Sequence, residues 1–124
     1  MTAVTPNLPG QDKLGEKDSR YVDIPGLPWT PTRFPGIDQK ILMEDKERGL
    51  YTALMRWAPG SRLPMHEHVE IEQTYIFEGS LKDEEGEATA GNFVWRPAGS
   101  THEVVSPNGA LILAVFIRPN RFLD

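Results

Sequence analysis

The sequence predicts an all-β protein that folds as a single antiparallel sandwich or barrel. Short runs of apolar and β-branched residues recur along the chain, separated by turns rich in glycine and proline, and this pattern is typical of antiparallel β folds. Apolar residues do not recur at helical spacing over the roughly 11 residues that a helix assignment needs. A length of 124 residues fits one domain, and the absence of an internal repeat favours one barrel over two.

Six stretches carry the strand pattern and are bounded by turn residues. We expect strands at residues 37–44, 50–58, 72–81, 92–96, 102–106 and 110–118. The stretch 72–81 is rich in aromatic and β-branched residues, which sheets favour. The acidic stretch 83–86 is interpreted as a hairpin turn whose charges face solvent, not as part of a metal site.

The first 36 residues differ in composition from the rest of the chain. Residues 1–20 are polar and contain prolines and glycines, so we expect a disordered or loosely ordered tail ahead of a domain at 21–124. Residues 21–36 hold four prolines, which exclude a helix and indicate an extended arm. Because Leu27, Trp29 and Phe34 lie on this arm and a domain of this size would struggle to cover them, we expect a homodimer.

The composition argues against several classes of partner. A net charge of −5 disfavours nucleic acid, whose binders present a basic face, and it equally disfavours an anionic membrane surface. The chain lacks the apolar segment of a signal peptide, and no apolar run approaches the roughly 20 residues of a membrane helix, so we expect a cytoplasmic protein. Cysteine is absent, so any metal would be bound by histidine, carboxylate or water.

The three histidines and one glutamate form the most informative pattern in the chain. His66 and His68 are two residues apart, so both imidazoles of an extended segment face the same side. Glu72 follows after three residues that can form a bend, which would return its carboxylate toward the pair. His102 comes from a later strand, entered through the turn at 97–99. Imidazole and carboxylate are the usual ligands of borderline divalent metals, so these four residues are the predicted ligands of one divalent ion.

The spacing of these residues resembles the two sequence motifs of the cupin family. The first motif reads Gly60-x5-His66-x-His68-x3-Glu72-x6-Gly79. The core of the second reads Gly91-x5-Pro97-x-Gly99-x2-His102, with Ser106 where asparagine often follows. Residues 21–124 are most similar to the cupin branch that contains the cupin domain of zinc-binding anti-sigma factors and the small iron dioxygenases that cleave acetylacetone or dihydroxyacetophenone. The resemblance implies a single jelly-roll cupin barrel.

The same resemblance, together with the ligand set, implies a function. Four protein ligands leave about two cis positions on a six-coordinate ion, which suits O2 and a small-molecule substrate and makes Fe(II) the expected metal. Protein as isolated could instead carry zinc, nickel, manganese or copper, because affinity rises toward copper along the divalent series. A divalent ion with one carboxylate ligand has a net charge of +1, which favours a monoanionic chelator. We therefore expect a dioxygenase that cleaves a C–C bond in a small β-dicarbonyl or hydroxyketone. The related acetylacetone-cleaving enzymes have a three-histidine site, whereas this chain also has Glu72.

Further residues are candidates for the wall of the active site. Arg56 and Tyr75 are polar groups on core-like strands that could orient a substrate carbonyl, and together with Glu72 they are the predicted catalytic residues, although exposure to solvent is the alternative. The apolar residues expected along the cavity, with ordinary core packing as the alternative, are Met55, Phe77, Trp95, Val104 and Phe116.

Two other functions stay open at this stage. The first is a non-enzymatic metal-binding module like the cupin half of the anti-sigma factors. Because 124 residues fit a single domain, we expect no second, helical domain to hold a sigma factor, which would favour the enzyme. The second is a sugar isomerase, another activity known among cupins.

Overall fold

The computed structural model describes residues 2–123, and in that range the chain is almost entirely β. The strands are β1 (Ala3–Val4), β2 (Thr30–Pro31), β3 (Ile37–Asp45), β4 (Leu50–Trp57), β5 (Arg62–Glu67), β6 (Glu72–Lys82), β7 (Glu87–Thr89), β8 (Phe93–Arg96), β9 (Thr101–Val105), β10 (Ala110–Phe116) and β11 (Arg121–Phe122). One-turn 3-10 helices lie at Gln11–Lys13 and Ile24–Gly26. The predicted all-β class is confirmed. No helix in the described part of the chain is long and apolar enough to cross a membrane.

The strands form one curled antiparallel sheet. Its order is β1-β3-β4-β10-β6-β9-β5-β11, with β2 beside β3 and with β7 and β8 beside β6. The long strand β6 pairs with β10 and β8 along its first part, and at its end Lys82 pairs with Val105 of β9. Strand β6 therefore links the two sides of the barrel, and the strands that carry the histidines lie on the side of β5 and β9.

The six expected strands are all present. The largest difference is at the end of β10, which stops at Phe116 instead of continuing to residue 118. Strand β5 was not expected because Pro64 interrupts its hydrogen-bonding pattern, and its pairing with β9 is irregular between Leu63 and His66. Strands β1, β2, β7 and β11 were missed because runs of two or three residues carry no readable periodicity.

The core follows the alternation that strands impose on their side chains. Along β10, Ala110, Ile112, Ala114 and Phe116 are buried while the residues between them are more exposed. Partners from other strands complete one cluster, namely Ile37, Trp57, Ile76, Leu81 and Val104. Most members of this cluster, including Trp57, Leu81 and Phe116, line the same cavity as two of the histidines.

The N-terminal residues pack on the domain of their own chain. Ala3 and Val4 pair with Asp45 and Glu44 of β3, and the buried hydroxyl of Thr5 donates to the carbonyl of Leu42 over 2.6 Å. The proposed division into a tail at 1–20 and a domain at 21–124 stays a prediction.

The proline-rich arm at 21–36 also lies against its own domain. Leu27 is buried, and Phe34 packs on the core cluster. Trp29 lies within cation–π distance of Lys40 and of Arg56. The apolar residues that suggested a homodimer are therefore covered in large part within one chain. The homodimer stays a prediction, but these residues no longer support it.

Candidate metal centre

The three histidines meet inside the barrel. His66 on β5 and His102 on β9 are directly opposite each other in the strand register, and His68 follows the end of β5. Their ring centroids lie 4.5–4.9 Å apart. The three residues are 1%, 0% and 3% exposed, respectively for His66, His68 and His102. In the described residues, one ring nitrogen from each lies within 4.8 Å of the others, as a shared metal ion requires.

The local backbone holds His68 in place beyond the end of its strand. The amide of His68 donates to the carbonyl of Ser100 over 2.9 Å, and the amide of Gly99 donates to the carbonyl of His68 over 2.7 Å. Gly99 has a φ of 86°, a left-handed conformation that glycine adopts without strain. The turn that leads into β9 is therefore bonded to the segment that carries the first two histidines.

Hydrogen bonds indicate which nitrogen of two of the rings faces the centre of the cluster. His66 Nδ1 donates to the carbonyl of Pro64 over 2.7 Å, and His102 Nδ1 donates to Asp83 Oδ2 over 2.9 Å. In a neutral imidazole, a proton on Nδ1 leaves the lone pair on Nε2. Both residues therefore have Nε2 available as a ligand atom, and the outer acceptors orient the rings in the way that protein metal sites commonly use.

The donor set fits a divalent cation. His68 Nε2 and His102 Nε2 lie 2.7 Å apart, so two basic nitrogens face each other across the cluster. Among the side chains of residues 2–123, His68 Nδ1 is one of the buried polar atoms that have no hydrogen-bond partner. A cation bound between His68 Nε2 and His102 Nε2 would use the lone pairs of both nitrogens, whereas His68 Nδ1 would keep facing Glu72 Oε2 at 3.9 Å. Imidazole nitrogens are normal ligands for Zn, Fe, Ni and Cu ions.

The rings are neutral at physiological pH, as ligands must be. Burial lowers the pKa of His66 to about 4, against a smaller opposing effect of its bond to the Pro64 carbonyl. Burial and the neighbouring rings of His102 and His66 lower the pKa of His68 to about 3. Burial also lowers the pKa of His102, although Asp83 opposes it. Protons therefore compete weakly with a metal ion near pH 7.

Glu72 lies next to the histidines but outside their three-membered group. Its Oε2 is 3.9 Å from His68 Nδ1, and its Oε1 accepts a hydrogen bond of 3.2 Å from the hydroxyl of Thr74. Burial raises the pKa of Glu72 to about 7, with Arg96 and Thr74 acting in the opposite direction. Its place on β6 brings the carboxylate to the cavity wall. Its role as a fourth ligand stays a prediction.

A cavity of about 220 Å³ opens beside the histidines. Its wall includes Met55, Val104 and Phe116, as expected from the sequence. The expectation was wrong for Phe77 and Trp95, which are 46% and 57% exposed on the outer face of the sheet. Strand alternation explains this result for β6, because the inward residues Thr74 and Ile76 leave their neighbours facing outward.

The structure does not bring Arg56 and Tyr75 to the histidines. Arg56 lies on the outer face of β4, 3.2 Å from Asp38, with its guanidinium over the ring of Trp29. Tyr75 is 39% exposed and its ring contacts Phe77 edge to face at 5.0 Å. Neither residue lines the cavity. Both predicted catalytic roles therefore lack a contact that would support them.

Three polar residues that sequence reasoning missed belong to this site. Arg96 and Asn120 line the cavity, and in the described part of the chain Arg96 Nε and Asn120 Oδ1 are buried without a hydrogen-bond partner. Asp83 was expected to face solvent, but its side chain is 2% exposed and bonds to His102. The hairpin turn at 83–86 was expected correctly. A turn with three consecutive acidic residues contains no signal that singles out the one buried carboxylate.

The metal-free protein is expected to lose stability as the pH falls from 6.5 to 4.5. In the unfolded chain the histidines take up protons below about pH 6.5, whereas folded His66 and His68 do so near 4 and 3. The unfolded state therefore binds more protons in this range and is favoured as the pH falls. Glu72 acts in the opposite direction, because its folded pKa is raised from 4.5 to about 7, but one carboxyl offsets only part of the effect of the histidines.

Urea unfolding of the metal-free protein at several pH values measures this dependence. The variant Glu72→Gln removes the opposing carboxyl, so its stability should fall more steeply over the same range. A free energy of unfolding that is constant or rises on acidification would contradict the prediction.

Several solved structures have a fold similar to that of this chain. A candidate acetylacetone dioxygenase from Methylibium petroleiphilum PM1 is 23% identical with a TM-score of 0.80, covering 90% of this chain and 85% of that one. An acetylacetone dioxygenase from Acinetobacter johnsonii is 21% identical with a TM-score of 0.72, covering 90% and 80%. The complex of SigE with the anti-sigma ChrR from Rhodobacter sphaeroides is 24% identical with a TM-score of 0.64, covering 73% of this chain and 50% of that chain.

At these identities the likeness shows the fold alone, and the expected single cupin barrel is confirmed. No curated protein matches the chain. The sequence matches the family described as the ChrR cupin-like domain over residues 17–120. Because this match spans most of the chain, the protein belongs to the ChrR cupin-like domain family.

Proposed function

We propose that this protein is an Fe(II)-dependent dioxygenase that cleaves a C–C bond in a small β-dicarbonyl or hydroxyketone. The observation that carries the proposal is the cluster of three buried, neutral imidazoles, two of which (His66 and His102) line a largely apolar cavity. A structural zinc site is normally closed by four protein ligands, whereas a six-coordinate Fe(II) ion would keep about two positions open for exogenous ligands even with Glu72 as a fourth ligand. The likeness to acetylacetone dioxygenases supports the same reaction class.

His66, His68 and His102 would hold the ion, with Glu72 as the proposed fourth ligand. Bound there, Fe(II) would supply the redox chemistry that O2 needs to react with an organic substrate. The chain's own residues keep the histidines neutral through burial and fix two of the rings through Pro64 and Asp83. Their contribution is to hold the donor atoms in place before the substrate arrives.

The cavity indicates the kind of substrate. Side chains such as Phe34, Met55, Val104 and Phe116 make its wall apolar and exclude water around a small carbon skeleton. At the polar end, the buried Nε–H of Arg96 is free to donate to a substrate oxygen. Because Asp83 balances the charge of Arg96, an ion with Glu72 as ligand would leave the site at +1, which suits a monoanion such as an enolate.

Oxygen uptake after anaerobic reconstitution with Fe(II) tests the proposal. With a panel of β-diketones and hydroxyacetophenones, at least one substrate should disappear with stoichiometric consumption of O2. The matched control is the same protein loaded with Zn²⁺, which has no redox chemistry and should consume none. A zinc form with full activity, or an iron form inert toward the whole panel, would count against the dioxygenase.

The alternative function is a non-enzymatic metal-binding module. It is favoured by the family itself, which takes its name from ChrR, and by the likeness to the SigE–ChrR complex. This function would give tight metal binding with no oxygen consumption in the same experiment. A sugar isomerase is a further proposal with less support, since the wall of the cavity is mostly apolar. The homodimer and the cytoplasmic location also stay predictions.

A further inference from the structure

We propose that Asp83 is a positioning residue of the metal centre: it fixes the His102 ring in the form whose Nε2 can bind a metal ion. This inference rests on the proposed metal site, because it assigns a role within it. Asp83 lies in the hairpin turn between β6 and β7, in an acidic stretch that otherwise faces solvent. The side chain of Asp83 is nevertheless 2% exposed.

The topology places this turn next to the metal centre. Lys82, the last residue of β6, pairs with Val105 of β9, so β6 ends beside the strand that carries His102. Asp83 is the next residue, and its side chain reaches back to the imidazole: Oδ2 accepts a hydrogen bond of 2.9 Å from His102 Nδ1. Residues separated by 19 positions are thereby joined through a buried contact.

The surroundings of the carboxylate fix its orientation. Oδ2 also accepts a hydrogen bond of 2.5 Å from Arg96 Nη1. Oδ1 accepts bonds from the backbone amides of Glu85 and Gly86, over 2.9 and 3.0 Å. All of these partners are donors, so Asp83 acts as an acceptor toward each of them. A carboxylate held in this way cannot rotate away from His102 without losing several charge-assisted hydrogen bonds.

The consequence for His102 follows from the chemistry of neutral imidazole. An acceptor at Nδ1 requires the proton on Nδ1, which leaves the lone pair on Nε2. Nε2 is the atom that faces the cluster, 2.7 Å from His68 Nε2. Without Asp83, the proton would be free to occupy Nε2, and that tautomer cannot bind a metal through the atom that faces the site. Acceptors of this kind typically change metal affinity by 10- to 100-fold.

A purely structural role for Asp83 is the competing explanation, since Oδ1 caps two amides of the turn. The variant Asp83→Asn separates the two roles. Its amide oxygen can still accept from Glu85 and Gly86. Its NH2 group takes the place of Oδ2, the oxygen that accepts from His102 and from Arg96. The matched control is Glu85→Gln, which removes one negative charge from the same turn at an exposed side chain.

Two measurements test the inference. Nitrogen-15 NMR of the metal-free protein should show His102 with its proton on Nδ1 in the wild type and in Glu85→Gln, and on Nε2 in Asp83→Asn. Zinc competition with a chromophoric chelator should show an affinity about 10- to 100-fold lower for Asp83→Asn, with Glu85→Gln close to the wild type. Circular dichroism of each variant checks that the fold is retained.

The results separate this inference from the proposed function. A wild type with the proton of His102 on Nε2 would overturn it even if Asp83→Asn did not fold. So would a folded Asp83→Asn with the wild-type tautomer and the wild-type zinc affinity. The tautomer is measured without metal, O2 or substrate. A failure of the dioxygenase assay therefore does not affect the test of the role of Asp83.

Discussion

Replacing His68 by alanine is expected to reduce the metal content of the purified protein to a small fraction of that of the wild type. His68 is fully buried, and its Nε2 lies 2.7 Å from His102 Nε2 at the centre of the cluster. Alanine removes one of three imidazole donors and leaves a space that two histidines cannot close around an ion. His66→Ala and His102→Ala should have effects of the same size, because each removes one nitrogen of the same group.

Elemental analysis after growth and purification under identical conditions measures this effect. Glu67→Ala is the matched control, because Glu67 lies between two of the histidines in sequence but forms a salt bridge with Arg121 outside the cluster. It should keep the wild-type metal content. Full occupancy in all three histidine variants would show that these residues do not form the metal centre.

The same series decides the role of Glu72. If its carboxylate is a ligand, Glu72→Gln should lower metal content clearly, though less than loss of a histidine. If it only lies beside His68 Nδ1, at the observed 3.9 Å, the metal content should barely change.

Replacing Gly79 by alanine is expected to destabilise the fold strongly. Gly79 has a φ of 72°, and a Cβ at this position would lie 1.8 Å from the carbonyl oxygen of Gly109 on the neighbouring chain segment. Because the contact is with backbone, the clash can be relieved only by moving the β6–β10 pairing. We expect a loss of more than about 3 kcal/mol, since left-handed strain alone costs about 1–3 kcal/mol for a residue with a side chain.

Urea unfolding of the variants measures this loss, and Gly91→Ala is its control. Gly91 has a similar φ of 83°, but a Cβ there would meet no heavy atom within 4 Å. The difference between the two variants therefore isolates the steric contact from the backbone strain. Equal losses of stability in both would show that the close approach of Gly109 costs nothing.

Much of the fold and the heart of the site could be predicted from sequence. The main strands could be predicted because turn residues mark their ends. The metal-binding histidines could be predicted because their spacing is that of ligands to a shared ion. The outward orientation of the Tyr75 side chain could also have been predicted from the sequence. Placing Glu72 inside on β6 puts Thr74 and Ile76 inside and Tyr75 outside by strand alternation, as observed.

Other features depend on contacts between distant parts of the chain and could not be predicted. Asp83 and its exposed neighbours Glu84 and Glu85 are all acidic, so residue type does not separate them. Only the pairing of β6 with β9 distinguishes the buried carboxylate. Asn120 lies in a stretch without strand periodicity, and its place in the cavity depends on β11. The roles of Asp83 and Asn120 could not be predicted because they depend on contacts between residues that are far apart in the sequence.

The short strand β11 has a consequence for access to the cavity. Pro119, Asn120 and Phe122 form part of the cavity wall, and the segment is held by the pairing of Arg121 and Phe122 with β5 and by the bond from the Leu123 amide to the Met65 carbonyl. A strand of two residues opens at a much lower free energy than the long strands of the sheet. In hydrogen exchange, the amide of Leu123 should therefore exchange well before the amides of β10, and its opening rate would set an upper limit on how fast molecules enter along this route.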